Sequence, residues 1–182
     1  MLDSKSITNL FPLVGNSVRL CLFTDVHLNS DYVGWLNDSQ VVKYSSQRFK
    51  KHSLETCSTY FQSFKNTENL FLAIHEKASN KFVGTMTAYF NDHHKVVDIG
   101  IMIGDKNSWG KGVGQEAWGM LMTFMFEERK MRKVTGGTLS SNLGMLAVMK
   151  KSGMQPDGIR TDHELIDGIP TDVLYFCKFN NE

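Results

Sequence analysis

Cysteine is scarce in this chain. Only Cys21, Cys57 and Cys177 occur in 182 residues, and they lie far apart. With no CxxC pair and no Cys/His cluster, the spacing argues against a structural zinc site. An odd, unspaced set fits a reducing compartment, where such thiols act as small hydrophobes. Proline is equally scarce, with three residues, and no Pro/Ser-rich tract marks a linker. Residues 1–182 are therefore expected to form a single domain. Long apolar runs are missing too. The stretch Leu10–Val14 is short and broken by Pro12, unlike a signal peptide, and nothing approaches the length of a membrane span. An excess of one charge is also lacking. Lys and Arg number 20 against 19 Asp and Glu, a formal net charge of +1. That balance gives no bulk attraction to nucleic acid or acidic lipid. The expected protein is cytoplasmic, with neither a membrane nor a nucleic acid as partner. No G-x-S-x-G elbow is present, so a hydrolase built on that turn is excluded. Asp92, His93 and His94 have no third ligand at suitable spacing, so no metal is expected.

What is present reads as a mixed α/β domain. Val18, Leu20 and Leu22 alternate with Arg19, Cys21 and Phe23, predicting a strand over 17–24. Residues 28–37 read as a helix that breaks at Asn37–Asp38–Ser39. Ser53 is placed to cap a helix running to about Phe64, with Thr56 where a capping-box glutamate would stand. Three strands follow, 69–77, 81–90 and 95–104, joined by short turns at "ASN" and "NDHH", which makes an antiparallel meander. A long helix is predicted from about Gly112 to Arg129. Its polar stripe holds Glu116, Thr123, Glu127 and Lys130, and its apolar side holds Ala117, Leu121, Phe124 and Met125. A strand over 133–139 comes next, then a helix over 141–153 capped by Ser141 or Asn142 and ended by Gly153. Strand-like segments 154–160 and 172–179 flank a loop holding Asp167, Gly168 and Pro170.

The richest stretch is "NSWGKGVGQEAWG" at 107–119. Alternating glycines let the backbone approach a ligand, and a helix N-terminus adds partial positive charge, a combination suited to phosphate. Lys111 lacks the Walker A context G-x-x-x-x-G-K-[ST]. Gly112, Gly114 and Ala117 do satisfy the dinucleotide spacing G-x-G-x-x-G/A. That fold needs the loop in its first βα turn and an acid closing the next strand. Here a three-strand meander comes first, and "KVTGGTL" carries no acid. A bare flexible turn into a helix is the remaining non-binding alternative.

Strand 95–104, loop 105–111 and the helix from Gly112 resemble the acyl-CoA-binding core of the GNAT acetyltransferases. That family's loop reads [QR]-x-x-G-x-[GA], and here Trp109 stands at the Gln/Arg place. The departure is similar to the ribosomal-protein (RimJ/RimL-like) branch, whose "W-G-K-G-x-G/A-x-E-A" resembles "WGKGVGQEA". The segment "SNLGMLAVMKKSGM" resembles the branch's "N-x-x-S-x-x-x-x-x-K-x-G-F", matching at Asn142, Lys151, Gly153 and Met154. "DYVGWLNDSQVVKYSSQRF" resembles its "W-x-N-D-x-E-V" segment, especially in members acting on nucleotide-linked amino sugars. The match spans 17–179.

The resemblance implies a mixed, mostly antiparallel sheet splayed between 95–104 and 133–139, its fourth and fifth strands, and flanked by helices. It implies acetyl-CoA as co-substrate, a small-molecule or protein amine as acceptor, and a monomer or homodimer. Trp109, Gly110, Lys111, Gly112, Val113, Gly114 and Gln115 would hold the pyrophosphate, with Lys111 either adding charge or solvated. Ile101, Met102 and Ile103 would line the pantetheine arm through backbone groups, and the N–H of Met102 or its neighbour would serve the oxyanion. Asn142 would bond the pantetheine amide, act as a plain helix cap, or do both. Asp98 falls where the branch carries glutamate, two residues before Gly100. It would take the amine proton directly or through water, and its alternative is a structural or substrate-orienting acid. Trp35, Tyr44, Arg48 and Tyr89 are the candidate acceptor contacts, although a tryptophan in such a place more often belongs to the core. Met149 replaces the tyrosine that many family members use as general acid, and Met145 replaces the branch serine. The expected function is acetyl transfer to a small amine, a nucleotide-linked amino sugar first. A protein N-terminus and a non-catalytic acyl-CoA-binding module are the alternatives.

Overall fold

A computed structural model of the chain describes residues 9–180. Eight strands form one sheet: β1 (Leu13–Val14), β2 (Val18–Leu22), β3 (Leu70–Glu76), β4 (Phe82–Asn91), β5 (Val96–Ile103), β6 (Lys133–Leu139), β7 (Gln155–Ile166) and β8 (Ile169–Phe179). Their spatial order is β1-β2-β3-β4-β5-β6-β8-β7. Every neighbouring pair is antiparallel except β5 and β6. Those two are parallel because a whole helix, α3 (Val113–Glu127), carries the chain from one to the other.

Two apolar layers cover the sheet. On one face lie α3 and α4 (Leu143–Lys151), which bury Trp118, Leu121, Met125 and Met149 against Leu20, Leu72, Val97 and Val134. Each fully buried side chain of that size contributes roughly 1.5–3 kcal/mol of transfer free energy. Gly136 makes room for the Trp118 ring, whose edge would stand 3.0 Å from a Cβ there. The other face carries α1 (Ser30–Asn37) and α2 (Leu54–Gln62) over an aromatic layer of Phe23, Tyr32, Phe64 and Phe71. Phe23 and Phe71 stack with ring centroids 4.2 Å apart. With helices on both sides, β3 is buried on both faces, which explains its unbroken apolar run.

The helix ends follow local chemistry. Asn29 caps α1, its side chain accepting from the Tyr32 N–H at 3.1 Å. Ser53 caps α2, and Thr56 completes the box: its N–H donates to Ser53 Oγ (3.2 Å) while its hydroxyl accepts from the Ser53 N–H (2.9 Å). The threonine thus does the work usually given to glutamate.

Some expectations need correction. Helix α3 stops at Glu127, and Lys130 sits at φ +51, outside the polar stripe assigned to it. Helix α2 ends at Gln62, short of Phe64. The C-terminal strands are longer than predicted, because β7 runs on to Ile166 and meets β8 through a turn at Asp167 and Gly168.

Candidate active site

The glycine loop opens α3 in left-handed backbone. Gly110 has φ +71 and Gly112, the N-cap of α3, has φ +83. A β-carbon at either position would be strained, which explains both glycines. The six consecutive amides from Gly110 to Gln115 donate to none of the described residues. They sit where the helix dipole is positive, the arrangement that receives a phosphate group. A two-part brace holds the loop. Asp105 accepts from the Asn107 N–H (3.1 Å) and pairs with Lys81 at 2.5 Å. The Trp109 indole N–H donates to the Ile103 carbonyl at 2.8 Å, tying the loop to the end of β5. Lys111 is exposed and in no ion pair among the described residues. Gln115 turns away, donating to Ser152 Oγ at 2.8 Å.

Beside this loop the sheet comes apart. β5 and β6 pair only at Val96–Lys133, Val97–Val134 and Asp98–Thr135. Beyond Asp98, β5 stays paired to β4 as far as Ile103, and β6 stays paired to β8 as far as Leu139. Their facing edges are therefore left open. Which β5 groups face the gap follows from strand alternation. The Val97 carbonyl lies 3.3 Å from Thr135 Oγ1 on β6, so the Val97 backbone points to β6. The Gly104 N–H donates to Val83 on the other side at 2.9 Å, and the Met102 carbonyl abuts Gly84 of β4. The amides of Ile101 and Ile103, beyond the last β5–β6 pair, thus face the splay. That of Met102 belongs to the β4 ladder, so its neighbours are the free donors.

On the opposite face a cavity of about 630 Å³ reaches the same stretch of β5. Its floor is Gly100, Ile101 and Met102 with Thr85 and Thr87 of β4. Its walls come from α1 (Tyr32, Leu36), α2 (Thr56, Cys57, Tyr60) and the segment before α2. That segment supplies Lys50, Lys51 and His52. It is clamped to α1 because the Asn37 side-chain amide exchanges two hydrogen bonds with the His52 backbone, each 2.9 Å.

Asp98 lies two residues up the strand from Gly100, on the same strand face, at the last paired position before the splay. Its carboxylate accepts from the Thr135 hydroxyl at 2.8 Å. Desolvation by the surrounding sheet raises its pKa, and the Thr135 hydrogen bond offsets part of that rise. It opens to solvent beside the cavity lining.

The four candidate acceptor contacts lie outside the cavity lining. Trp35 packs on Phe82 (centroids 4.9 Å) and fills the space a Gly104 side chain would need. It shores α1 against the end of β5. Arg48 pairs with Glu164 at 3.0 Å and stacks on Phe49. Tyr44 lies beneath the Lys43 ammonium, 5.3 Å from its ring centre. The Tyr89 hydroxyl hydrogen-bonds the Tyr60 hydroxyl at 2.8 Å, and Tyr60 does line the cavity. Asn142 caps α4, accepting from the Met145 N–H and donating to Thr138 Oγ1 at 3.1 Å, next to the splayed end of β6. Met149 is fully buried beneath Gly136. Sequence reading missed Lys50, Lys51, His52, Thr85 and Thr87. Thr85 and Thr87 carry a signal, as polar side chains on the Gly100 face of β4.

Fold, splay and glycine loop together define an acyltransferase of known type. Residues 18–155 match the family model described as "Acetyltransferase (GNAT) domain", and the chain belongs to that family. Among curated proteins it is similar to the probable N-acetyltransferase YjcK of Bacillus subtilis (strain 168). The two are 25% identical over 123 residues, covering 66% of this chain and 67% of YjcK. Among solved structures the fold resembles RimL, a ribosomal L7/L12 alpha-N-protein acetyltransferase in complex with coenzyme A. That likeness has a TM-score of 0.80 at 16% identity, over 92% of this chain and 96% of the other. It also resembles the spermidine N-acetyltransferase of Vibrio cholerae in complex with CoA and spermine, at TM-score 0.80 and 14% identity, over 91% and 97%.

Proposed function

We propose that the chain transfers the acetyl group of acetyl-CoA to a primary amine bound in the cavity between α1, α2 and the sheet. The acceptor is a small molecule, with a nucleotide-linked amino sugar ahead of a protein N-terminus. One observation carries this reading. The Gly100–Met102 stretch is at once the floor of the cavity and the edge of the splay, so an amine on one side meets a thioester on the other.

The residues fit such a donor. The six free amides at Gly110–Gln115 receive its pyrophosphate, and Gly112 allows the close approach. The open amides of Ile101 and Ile103 bond its extended arm, and the Ile101 N–H is the candidate oxyanion donor. Asn142 retains a second amide hydrogen for the same arm. The amine nitrogen attacks the acetyl carbon and the carbon–sulfur bond breaks, releasing coenzyme A as thiolate. Asp98, two residues from Gly100, accepts the amine proton through water. A raised pKa makes it a better base than an ordinary surface carboxylate. With Met149 in the place of a general acid, the thiolate takes its proton from solvent. A free thiol titrates near pH 8.5, so unassisted departure is feasible at neutral pH.

Thiol release from acetyl-CoA over a panel of amines tests the reading. Acetylation of amino sugars, strongest with nucleotide-linked ones, is the expected result. A peptide-only response would move the acceptor to protein N-termini. Coenzyme A binding without release on any acceptor would make the chain a non-catalytic module.

A further inference from the structure

We infer that the acceptor carries an anionic group, and that Lys50 and Lys51 at the cavity wall receive it. This rests on the reading of the cavity as the acceptor site and adds the chemical class that the site selects.

The basic side chains lining the cavity have no acidic counterpart there. Lys50, Lys51 and His52 stand on the segment before α2, and no Asp or Glu is among the lining residues. Elsewhere among the described residues some cations are matched by carboxylates, while others, such as Lys111, stand unpaired. Lys81 pairs with Asp105, Lys106 with Asp38, Arg48 with Glu164 and Lys133 with Asp157. Neither Lys50 nor Lys51 has an ion-pair partner among the described residues. Two adjacent ammonium groups are thus left uncompensated at a concave site, where low-dielectric walls strengthen their field.

The segment is also held in place. The Lys50 N–H donates to the Gln47 carbonyl at 3.0 Å, closing a turn. His52 is fixed to α1 by its two bonds with Asn37. Arg48, just before, is anchored to Glu164 and to the Leu165 carbonyl (3.2 Å) on β7. The lysine side chains stay free to pivot while their backbone does not, which suits a phosphate or carboxylate of variable position. Ser45, Gln47 and Thr56 line the same wall and offer neutral partners for hydroxyl groups. A polyamine fits poorly, because its further ammonium groups would face two lysines with no carboxylate in the lining.

The test compares matched acceptors at low salt: an amino sugar, its phosphate ester, its nucleoside-diphosphate conjugate, and spermidine. The phosphorylated forms are expected to show kcat/KM about tenfold or more above the plain sugar, a gap that narrows as salt rises. Lys50→Ala/Lys51→Ala should bring that ratio to within about threefold through KM, and Lys50→Arg/Lys51→Arg should retain it. Lys130→Ala, beyond the C-terminal end of α3, is the charge control and should keep the full ratio. Preference for spermidine or the plain sugar overturns the inference while leaving acetyl transfer intact. So does a ratio unmoved in the double alanine variant. If no amine is acetylated although coenzyme A binds, the transferase reading fails and this inference falls with it.

Discussion

Asn37 and His52, fifteen positions apart, act as a reciprocal amide pair. Asn37 Oδ1 accepts the His52 N–H and Asn37 Nδ2 donates to the His52 carbonyl, both at 2.9 Å. The last residue of α1 thereby sets the position of the cavity wall.

Asn37→Ala is expected to loosen that wall without opening the core. Losing two hydrogen bonds costs roughly 1–3 kcal/mol. The acceptor KM should rise several-fold while the KM for acetyl-CoA stays within twofold. Steady-state kinetics with each substrate varied in turn separates the two. An equal rise in both would refute a role confined to the acceptor wall.

Asp98→Asn tests the proton acceptor. A carboxylate with a raised pKa gives a rate that climbs as pH rises through that pKa, since only the ionised form takes a proton. The asparagine variant should lose about 100-fold or more in kcat and lose the acidic limb of the profile. Thr135→Val, which removes the hydrogen bond to the carboxylate, should move the limb to higher pH. An unaltered rate and profile in Asp98→Asn would end the assignment.

Gly112→Ala and Gly119→Ala form a contrasting pair. A β-carbon at either meets nothing within 4 Å, so crowding plays no part. Gly112 has φ +83, and alanine there costs about 1–2 kcal/mol of backbone strain at the loop. The KM for acetyl-CoA should rise about tenfold. Gly119 lies inside α3, where alanine should add about 0.5–1 kcal/mol of stability. Calorimetry of acetyl-CoA binding and thermal melts of both variants check the pair.

His27 and His75 predict an acid-sensitive fold. The Thr24 N–H donates to His27 Nδ1 at 2.9 Å, so the His27 proton sits on Nε2, 3.0 Å from His75 Nε2. His75 Nδ1 lies 3.0 Å from the Asn80 carbonyl and donates to it. A proton added to either ring would set two donors against each other. Burial lowers the His27 pKa, and His75 lowers it further. The unfolded chain therefore binds a proton below about pH 6.5 while the folded one resists. Stability is complete above that pH and is lost as pH falls towards the depressed folded value. Melting temperature between pH 8 and pH 5 should fall, and His27→Asn should flatten the slope.

Local rules reached the meander, α3 and the glycine loop because each carries its own periodicity or capping signal. They failed where distant chain decides. β1 is two residues long and leans on Glu116, whose two carboxylate oxygens share the Ser17 N–H at 3.1 and 3.2 Å and which also accepts from the Ser17 hydroxyl. That stripe residue of α3 organises the β1–β2 turn, a job invisible at a separation of nearly a hundred residues. β7 is exposed along most of its length, so it carries no apolar alternation to reveal where it stops. In the site, the backbone features were legible and the cavity was not. Its polar wall comes from a turn whose position depends on Asn37. Arg48 looked like a substrate contact, yet its charge is matched by Glu164, which no local pattern links to it.

The splay makes the sheet a hinge between unequal halves. Five strands lie on one side and three on the other, joined within the sheet by three residue pairs and across the gap by α3. A ligand that threads the gap acts as a staple. Its contribution to folding is the mass-action term, about 2.7 kcal/mol at a hundredfold excess over Kd. Unliganded protein should accordingly exchange amide hydrogens fastest along the facing edges of β5 and β6, and the donor substrate should slow exchange there before it does so anywhere else.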